Sequence, residues 1–163
     1  MTAARPSEVL RPRLATGLDA VAGHIVVLPA GTERRSDDLS RAHLADGRVV
    51  TWRAAHRDLR GHVAIDAELA AQKPPAALMR RFGPLDYRQF WTRWTQVEVA
   101  CKLLDVPVVV WLRRHGLDAT PAQIDLCTDV GAGVVVSVGA RYGTVWTCDN
   151  AALPASEPVR NSV

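Results

Sequence analysis

Two short segments of the chain carry residue types and spacings that could do chemistry. Asp66 and Glu68 lie in the segment HVAIDAEL, and Glu98 and Lys102 lie in the segment WTQVEVACK. Side chains two apart on a strand point to one face, and side chains four apart on a helix lie one turn apart. Placed together, the carboxylates would hold a hard divalent cation such as Mg²⁺, and the amine would offset charge on a phosphate. These are the parts that phosphoryl transfer requires.

Each pair also has an interpretation without chemistry. Two acids at a strand end can be solvated, and Glu98 with Lys102 can form a surface ion pair worth about 0.2–0.5 kcal/mol. Against the second interpretation, Trp94 lies one turn before Glu98, and apolar residues crowd this segment on both sides. Lys102 is one of two lysines beside eighteen arginines. A compact ammonium group is therefore used here in a chain that otherwise relies on the planar guanidinium.

The elements that must position these residues follow from the hydrophobic pattern. Segments rich in β-branched residues predict strands at residues 23–31, 47–55, 61–69, 124–130, 133–139 and 142–149. The short polar link between the second and third of these permits an antiparallel pair, and the last three are typical of a closing meander with a turn at GAG. Residues 32–41 are polar and are predicted to be a connection.

The helical pattern is strongest between Asp86 and Pro107. Asp86 is a plausible N-cap, and Pro107 is expected to end the helix. Apolar residues recur in it at three- and four-residue steps: Tyr87, Phe90, Trp91, Trp94, Val97, Cys101 and Leu104. Residues 76–82 predict a short helix, whereas residues 106–117 fit either a strand or a short helix. The expected fold class is α+β, with an antiparallel sheet packed on one long helix.

Length and composition indicate one globular domain. The chain has 163 residues, of which 48% are hydrophobic and 23% are charged. We expect a loose N-terminal arm (1–22), a single domain (23–149) and a disordered tail (150–163). The three cysteines form no CxxC pair, which favours free thiols in a reducing compartment over a zinc or disulfide framework.

Several function classes are disfavoured by the sequence. The longest strongly apolar run, residues 106–112, is too short to span a bilayer. His24 interrupts the apolar segment near the start that could pass for a signal peptide. A net charge of +3 is too dilute for a nucleic-acid-binding module, and no motif of one is present. We therefore expect a cytoplasmic protein with neither a membrane nor a nucleic acid as its partner.

The segments AIDAE and WTQVEVACK, in this order, resemble the paired signature of the 4′-phosphopantetheinyl transferases. In that family a strand of G-(I/V)-D-x-E type precedes a helix of W-(S/T)-x-K-E-x-x-x-K type. Asp66 and Glu68 match the metal carboxylates, and the helix motif is matched by Trp94, Thr95, Glu98 and Lys102. The segment AHLADGRVV (42–50) is similar to the motif whose histidine contacts the coenzyme A phosphate, which would be His43 here. Four other histidines compete for that role: His24, His56, His62 and His115.

The resemblance implies an Mg²⁺-dependent enzyme that transfers 4′-phosphopantetheine from coenzyme A to a serine of an acyl or peptidyl carrier protein. Asp66, Glu68 and Glu98 would hold the metal. Glu98 would also help to deprotonate the serine hydroxyl, and Lys102 with His43 would bind coenzyme A. Because carrier proteins are typically acidic, an arginine rim is a plausible docking surface: Arg80, Arg81, Arg88 and Arg93. The sequence does not decide whether the protein forms a homo-oligomer in which neighbouring subunits complete the site.

Three positions depart from the family pattern. Ala64 stands in place of glycine, Val97 in place of lysine, and Ala42 in place of the serine before the histidine. These departures motivate an alternative, a catalytically degenerate relative that binds a carrier protein or coenzyme A without turnover. Val97 is the most informative of the three departures, because its side chain either faces the ligand or packs in the core. In the second case we expect the helix to be turned so that Glu98 leaves the site.

Overall fold

The structure, a computed structural model, describes residues 9–10, 23–54, 62–117 and 124–141. Within these ranges the strands are β1 (Val9–Leu10), β2 (Gly23–Leu28), β3 (Asp38–His43), β4 (Val49–Ala54), β5 (Val63–Leu69), β6 (Ile124–Gly131) and β7 (Val134–Arg141). The helices are α1 (Ala76–Phe82), α2 (Tyr87–Leu104) and α3 (Val108–His115). The α+β class is therefore confirmed.

The strands form two antiparallel sheets. Sheet A has the order β1-β2-β4-β3, and sheet B has the order β5-β7-β6. The expected single sheet was wrong, and so was the expected pair of β4 with β5. Strand β4 is central in sheet A, where β2 and β3 take up both of its edges. Strand β5 instead pairs along its whole length with β7, from Val63 opposite Ala140 to Leu69 opposite Val134.

Sheet B lies between sheet A and helix α2, and its central strand β7 is buried on both faces for that reason. On one face, Ile65 and Val138 join Trp52 of sheet A in a shared core. On the other face, Ala64 packs with Val99 of α2. Since successive side chains on a strand alternate, the face of β5 that carries Ala64 also carries Asp66 and Glu68. Sheet B therefore presents both acids to α2.

Helix α2 has the capping that the sequence predicts. The Oδ1 atom of Asp86 accepts a hydrogen bond of 2.7 Å from the backbone N–H of Gln89. The helix ends earlier than expected, because Asp105 adopts the left-handed conformation at φ 55° and its N–H reaches the carbonyl of Cys101. Pro107 then begins α3, which resolves the ambiguous segment as a helix. The described part of the chain thus has three helices where one long helix and one short one were expected.

Helix α2 approaches β7 closely at one point. Gly139 has no side chain, and a Cβ atom there would lie 2.6 Å from Cγ1 of Val99. Ala64 is the cross-strand neighbour of Gly139 on β5. Two small residues side by side therefore let Val99 sit against the sheet, which accounts for a small residue at position 64.

The polar segment 32–41 was wrongly predicted to be a connection throughout, because β3 begins at Asp38. The Asp38 side chain is fully buried, and its Oδ1 atom accepts a 2.8 Å hydrogen bond from Nε of Arg53 on β4. Its Oδ2 atom lies 2.9 Å from the backbone nitrogen of Arg35, which donates to it. An ion pair between strands, rather than apolar alternation, stabilises this end of β3.

Other expectations are met or lie outside the described residues. The GAG segment turns between β6 and β7 with positive φ at Ala132 (52°) and Gly133 (74°). In the predicted arm, residues 9–10 form β1, which pairs with β2. The rest of the arm, the expected strand 142–149 and the tail 150–163 lie outside the described residues. No helix in the described ranges is both long and apolar enough to cross a membrane.

Candidate functional site

The structure brings the acidic strand and the helix amine together. The Nζ atom of Lys102 donates 2.7 Å to Oδ1 of Asp66 and 2.9 Å to the backbone carbonyl of Ile65. The surface pair of Glu98 with Lys102, which was the interpretation without chemistry, is not among the ion pairs of the described residues. The lysine therefore ties α2 to β5 and does not pair along its own helix.

Burial and mutual repulsion raise the pKa of both strand carboxyls. Loss of hydration raises the pKa of Asp66 to about 6, the Lys102 ammonium opposes this shift, and the charge of Glu98 adds to it. Loss of hydration raises the pKa of Glu68 to about 7, and the charges of Asp66 and Glu98 raise it further. The charge of Glu98 thus acts on both strand acids, as it does on the buried thiol of Cys101. Three carboxylates and one amine share this site, with negative charge in excess.

One oxygen of the site has no partner. Among the described residues the buried Oδ2 atom of Asp66 has no hydrogen-bond partner, the side chain is only 13% exposed, and the nearby backbone N–H of Ala67 lowers the pKa less than burial raises it. A buried carboxylate oxygen without a donor is costly unless a cation or a donor is supplied. Within the described residues, no three His, Cys, Asp or Glu side chains converge as a group that could hold a metal ion. Mg²⁺ commonly takes only one or two carboxylates and completes its shell with water and phosphate oxygens. The orphan oxygen and the excess charge fit such a cation.

A row of hydroxyl groups adjoins Asp66 across sheet B. Ser137 on β7 stands directly opposite Asp66 in the strand register, and Thr128 on β6 stands opposite Ser137. The Oγ of Ser137 lies 2.8 Å from Oγ1 of Thr128 and 2.7 Å from Oγ1 of Thr95 on α2. Sequence reasoning gave Ser137 and Thr128 no role. The signal was present, since Ser137 is the one polar residue in the strand segment VVVSV.

Val97 belongs to the core, which settles one alternative and corrects its expected consequence. Its side chain is 2% exposed and packs with Phe90, Cys101 and Trp111. The charge of Glu98 nevertheless raises the pKa of Asp66 and of Glu68, so burial of Val97 does not by itself remove Glu98 from the neighbourhood of the strand acids. Consecutive helix positions differ by about 100°, which lets one face the α3 side while the next faces β5.

The remaining predicted residues lie apart from this cluster. His43 is exposed at the end of β3, and no hydrogen bond or ion pair of the described residues joins it to the four site residues. Arg80 and Arg81 are exposed on α1, and a guanidinium nitrogen of Arg81 donates 2.8 Å to the carbonyl of Leu112. Arg88 and Arg93 line a cleft of about 340 Å³ at the first turns of α2.

Comparison with known proteins adds no relative to this description. The chain gives no significant match to any protein-family model, to any curated protein or to any solved structure.

Proposed function

We propose that the protein transfers 4′-phosphopantetheine from coenzyme A to a serine of an acyl or peptidyl carrier protein. The observation that carries the proposal is the meeting of two short motifs that are far apart in the sequence. Asp66 and Glu68 on β5 face Lys102 on α2, and the charge of Glu98 acts on both acids. The resemblance of both motifs to the phosphopantetheinyl transferases supplies the reaction.

In the proposal, one or two of the carboxylates of Asp66, Glu68 and Glu98 would hold Mg²⁺, since the three do not converge as a single metal-binding group among the described residues. Bound Mg²⁺ would supply charge neutralisation for the pyrophosphate of coenzyme A. Asp66 offers its unpartnered Oδ2 atom, while its Oδ1 atom is held by Lys102. The Lys102 contact to the Ile65 carbonyl keeps the ammonium group at the strand. Lys102 thereby orients the aspartate and adds a positive charge on the phosphate side.

In the proposed reaction, the serine oxygen of the carrier forms a bond to the phosphorus that bears pantetheine. The bond from that phosphorus to the bridging oxygen breaks, and adenosine 3′,5′-bisphosphate leaves with the electron pair. The serine proton passes to a carboxylate of the site, directly or through water, and Glu98 is our candidate. A base held close to its proton donor contributes roughly 10²–10⁴-fold in rate.

Docking of the carrier is assigned to the arginine rim. Arg80, Arg81 and Arg88 are exposed, and an acidic partner would be steered by them. His43 is retained as the candidate for the coenzyme A phosphate, on the resemblance alone. The cytoplasm is the proposed compartment, since Cys101 is a buried free thiol and the sequence contains no CxxC pair.

The proposal is tested by incubating the protein with coenzyme A, Mg²⁺ and a panel of apo carrier proteins. We expect one carrier to gain the mass of one phosphopantetheine, and to gain none when EDTA replaces Mg²⁺. A Glu98→Gln variant serves as the matched control, because it keeps the shape of the side chain. Absence of a mass gain on every carrier would exclude transfer to that panel.

The second candidate is the degenerate relative that binds without turnover. One observation favours it: Lys102 already occupies one oxygen of Asp66, and Val97 leaves no lysine beside Glu98. This candidate predicts that coenzyme A or a carrier protein binds in a calorimetric titration, while no carrier in the panel gains mass. The transferase requires both binding and mass gain.

A further inference from the structure

Four polar side chains join helix α2 to sheet B by a continuous path of hydrogen bonds. The path leaves α2 at Gln96, whose Nε2 atom donates 2.9 Å to Oγ1 of Thr128 on β6. It passes to Ser137 on β7 over 2.8 Å and returns to Thr95 of α2 over 2.7 Å. Thr95 in turn donates 2.9 Å to the carbonyl of Trp91, one turn back along α2. We call Thr95, Gln96, Thr128 and Ser137 the hydroxyl clasp.

With one direction of donation, every hydroxyl of the clasp has both a donor and an acceptor. Gln96 donates to Thr128, Thr128 to Ser137, Ser137 to Thr95, and Thr95 to the Trp91 carbonyl. Each hydroxyl then accepts one bond and donates one. Thr95 and Ser137 are fully buried, so water cannot replace a lost partner cheaply. The path therefore favours one rotation of α2 over the sheet.

The clasp lies beside the charged site on both elements. On the sheet, Ser137 is the direct cross-strand neighbour of Asp66. On the helix, Thr95 precedes Glu98 by three residues, which places the two about one turn apart. Val99, one turn beyond Thr95, packs against Gly139, where the sheet has no side chain that would separate it from the helix. The clasp and this contact hold the same stretch of α2 at two points.

We propose that Thr95 and Ser137 are positioning residues that set the rotation of α2 and so hold Glu98 beside Asp66 and Glu68. They touch neither phosphate nor metal in this scheme and act through the placement of Glu98. Apolar packing alone lets a helix settle in neighbouring rotations at little cost, whereas a buried polar path tolerates only one. The transfer role of the site rests on the proposed function, while the placement of Glu98 does not.

The test compares Thr95→Val and Ser137→Ala with two controls. Thr95→Val removes the hydroxyl and keeps the shape, and Thr95→Ser keeps the hydroxyl. Val136→Ala changes the residue next to Ser137 on the opposite face of β7, where it packs toward sheet A. This variant loses stability through a cavity and leaves the clasp in place.

The first readout is metal-free. At pH 8, a double-mutant cycle of Glu68→Gln and Glu98→Gln measures the repulsion between these carboxylates from free energies of unfolding in urea. We expect the repulsion to be clear in the wild-type, Thr95→Ser and Val136→Ala backgrounds. In the Thr95→Val and Ser137→Ala backgrounds we expect it to fall toward zero. An unchanged repulsion in both clasp variants would overturn the proposal.

The second readout is Mg²⁺ affinity by calorimetry, with transfer kinetics beside it. We expect Thr95→Val and Ser137→Ala to weaken Mg²⁺ binding by about 10-fold, a common effect of losing an outer-shell partner. Val136→Ala should leave the affinity unchanged. If wild-type protein binds no Mg²⁺ and modifies no carrier, the proposed function fails, and the metal-free cycle still decides on the clasp. If the clasp variants behave like Val136→Ala in both readouts, the clasp contributes only ordinary packing and does not position Glu98.

Discussion

Two buried aspartates in this molecule have opposite surroundings. Asp38 in sheet A is fully buried, and Arg53, the backbone of Arg35 and a longer ion pair with Arg41 surround it. Burial raises the pKa of Asp38, but hydrogen bonds from Arg53, the Arg35 backbone and Thr51, together with the charge of Arg53, outweigh it and hold that pKa below the ordinary value. Asp66 in sheet B has one lysine on one oxygen and no partner on the other, and burial raises its pKa to about 6.

The difference separates a structural carboxylate from a functional candidate. Around Asp38 the donors satisfy both carboxylate oxygens, so the ion pair joins β3 to β4, although the Nε atom of Arg41 is buried without a hydrogen-bond partner among the described residues. Around Asp66 two more carboxylates interact with it through their charges, and among the described residues only Lys102 pairs with it, so its surroundings fit the proposed cation. Perturbed carboxyls of this second kind are enriched at functional sites. Burial alone does not distinguish the two, whereas the completeness of their partners does.

The largest effect is expected at Asp66. Asp66→Asn removes the negative charge and the oxygen proposed for the metal, so we expect phosphopantetheine transfer to fall by about 1000-fold or more, equivalent to about 4 kcal/mol. The free energy of unfolding should change by less than about 1 kcal/mol, because Lys102 keeps access to water. Mass-spectrometric transfer rates and urea denaturation measure the two quantities. Wild-type transfer in this variant would remove Asp66 from the site.

The opposite pattern is expected at Asp38. Asp38→Asn leaves Arg53 and Arg41 without their carboxylate, and each of these side chains is only 12% exposed. We expect a loss of about 3 kcal/mol in the free energy of unfolding, typical of a broken buried ion pair. The neighbouring exposed pair gives the control, since Asp37→Asn should cost less than about 0.5 kcal/mol. A small effect at Asp38 would contradict its structural assignment.

The substitution Lys102→Arg tests whether the shape of the cation beside Asp66 matters in addition to its charge. The charge is kept, but a planar guanidinium cannot contact Asp66 Oδ1 and the Ile65 carbonyl as the compact ammonium does. We expect about a 10-fold loss in kcat/KM for transfer, with stability nearly unchanged. Arg53→Lys, made in the structural pair, should instead lower stability and leave kcat/KM unchanged. If Lys102→Arg and the wild type have equal kcat/KM for transfer, the interpretation of Lys102 as a simple ion-pair partner is favoured.

The smallest effect is a pH dependence of stability with opposite signs in the two regions. Asp66 and Glu68 bind protons in the folded protein at pH values where the unfolded chain has released them, so their contribution to stability falls as pH rises from about 5 to 8. Asp38 has a lowered pKa, so its contribution is present above the ordinary value of 3.8 and is lost below it. Thermal unfolding in EDTA measures both. Glu68→Gln should flatten the slope between pH 5 and 8, and an unaltered slope would contradict the pKa assignment.

Much of the local structure was predictable from the sequence, and the charged site was predictable in composition. Asp86 capping and the apolar spacing between Tyr87 and Leu104 predicted α2, because a helix is stabilised by contacts within a few residues. Glu98, Lys102 and the strand acids were named from their residue types, their spacing and the resemblance of their two segments to a family signature. What spacing could not give was the partner of Lys102, since an i,i+4 neighbour and a residue 36 positions away compete for the same amine.

The sequence by itself determined where α1, α2 and most of the described strands form and which side chains could do chemistry, because propensity and alternation act over short distances. Only the tertiary structure decided that β4 and β5 belong to different sheets, since pairing depends on which edges other strands have already taken. It also decided that Val97 enters the core while the charge of Glu98 acts on the strand acids. The charge states of Asp38 and Asp66 were decided there too, because a pKa depends on burial and partners that distant segments provide.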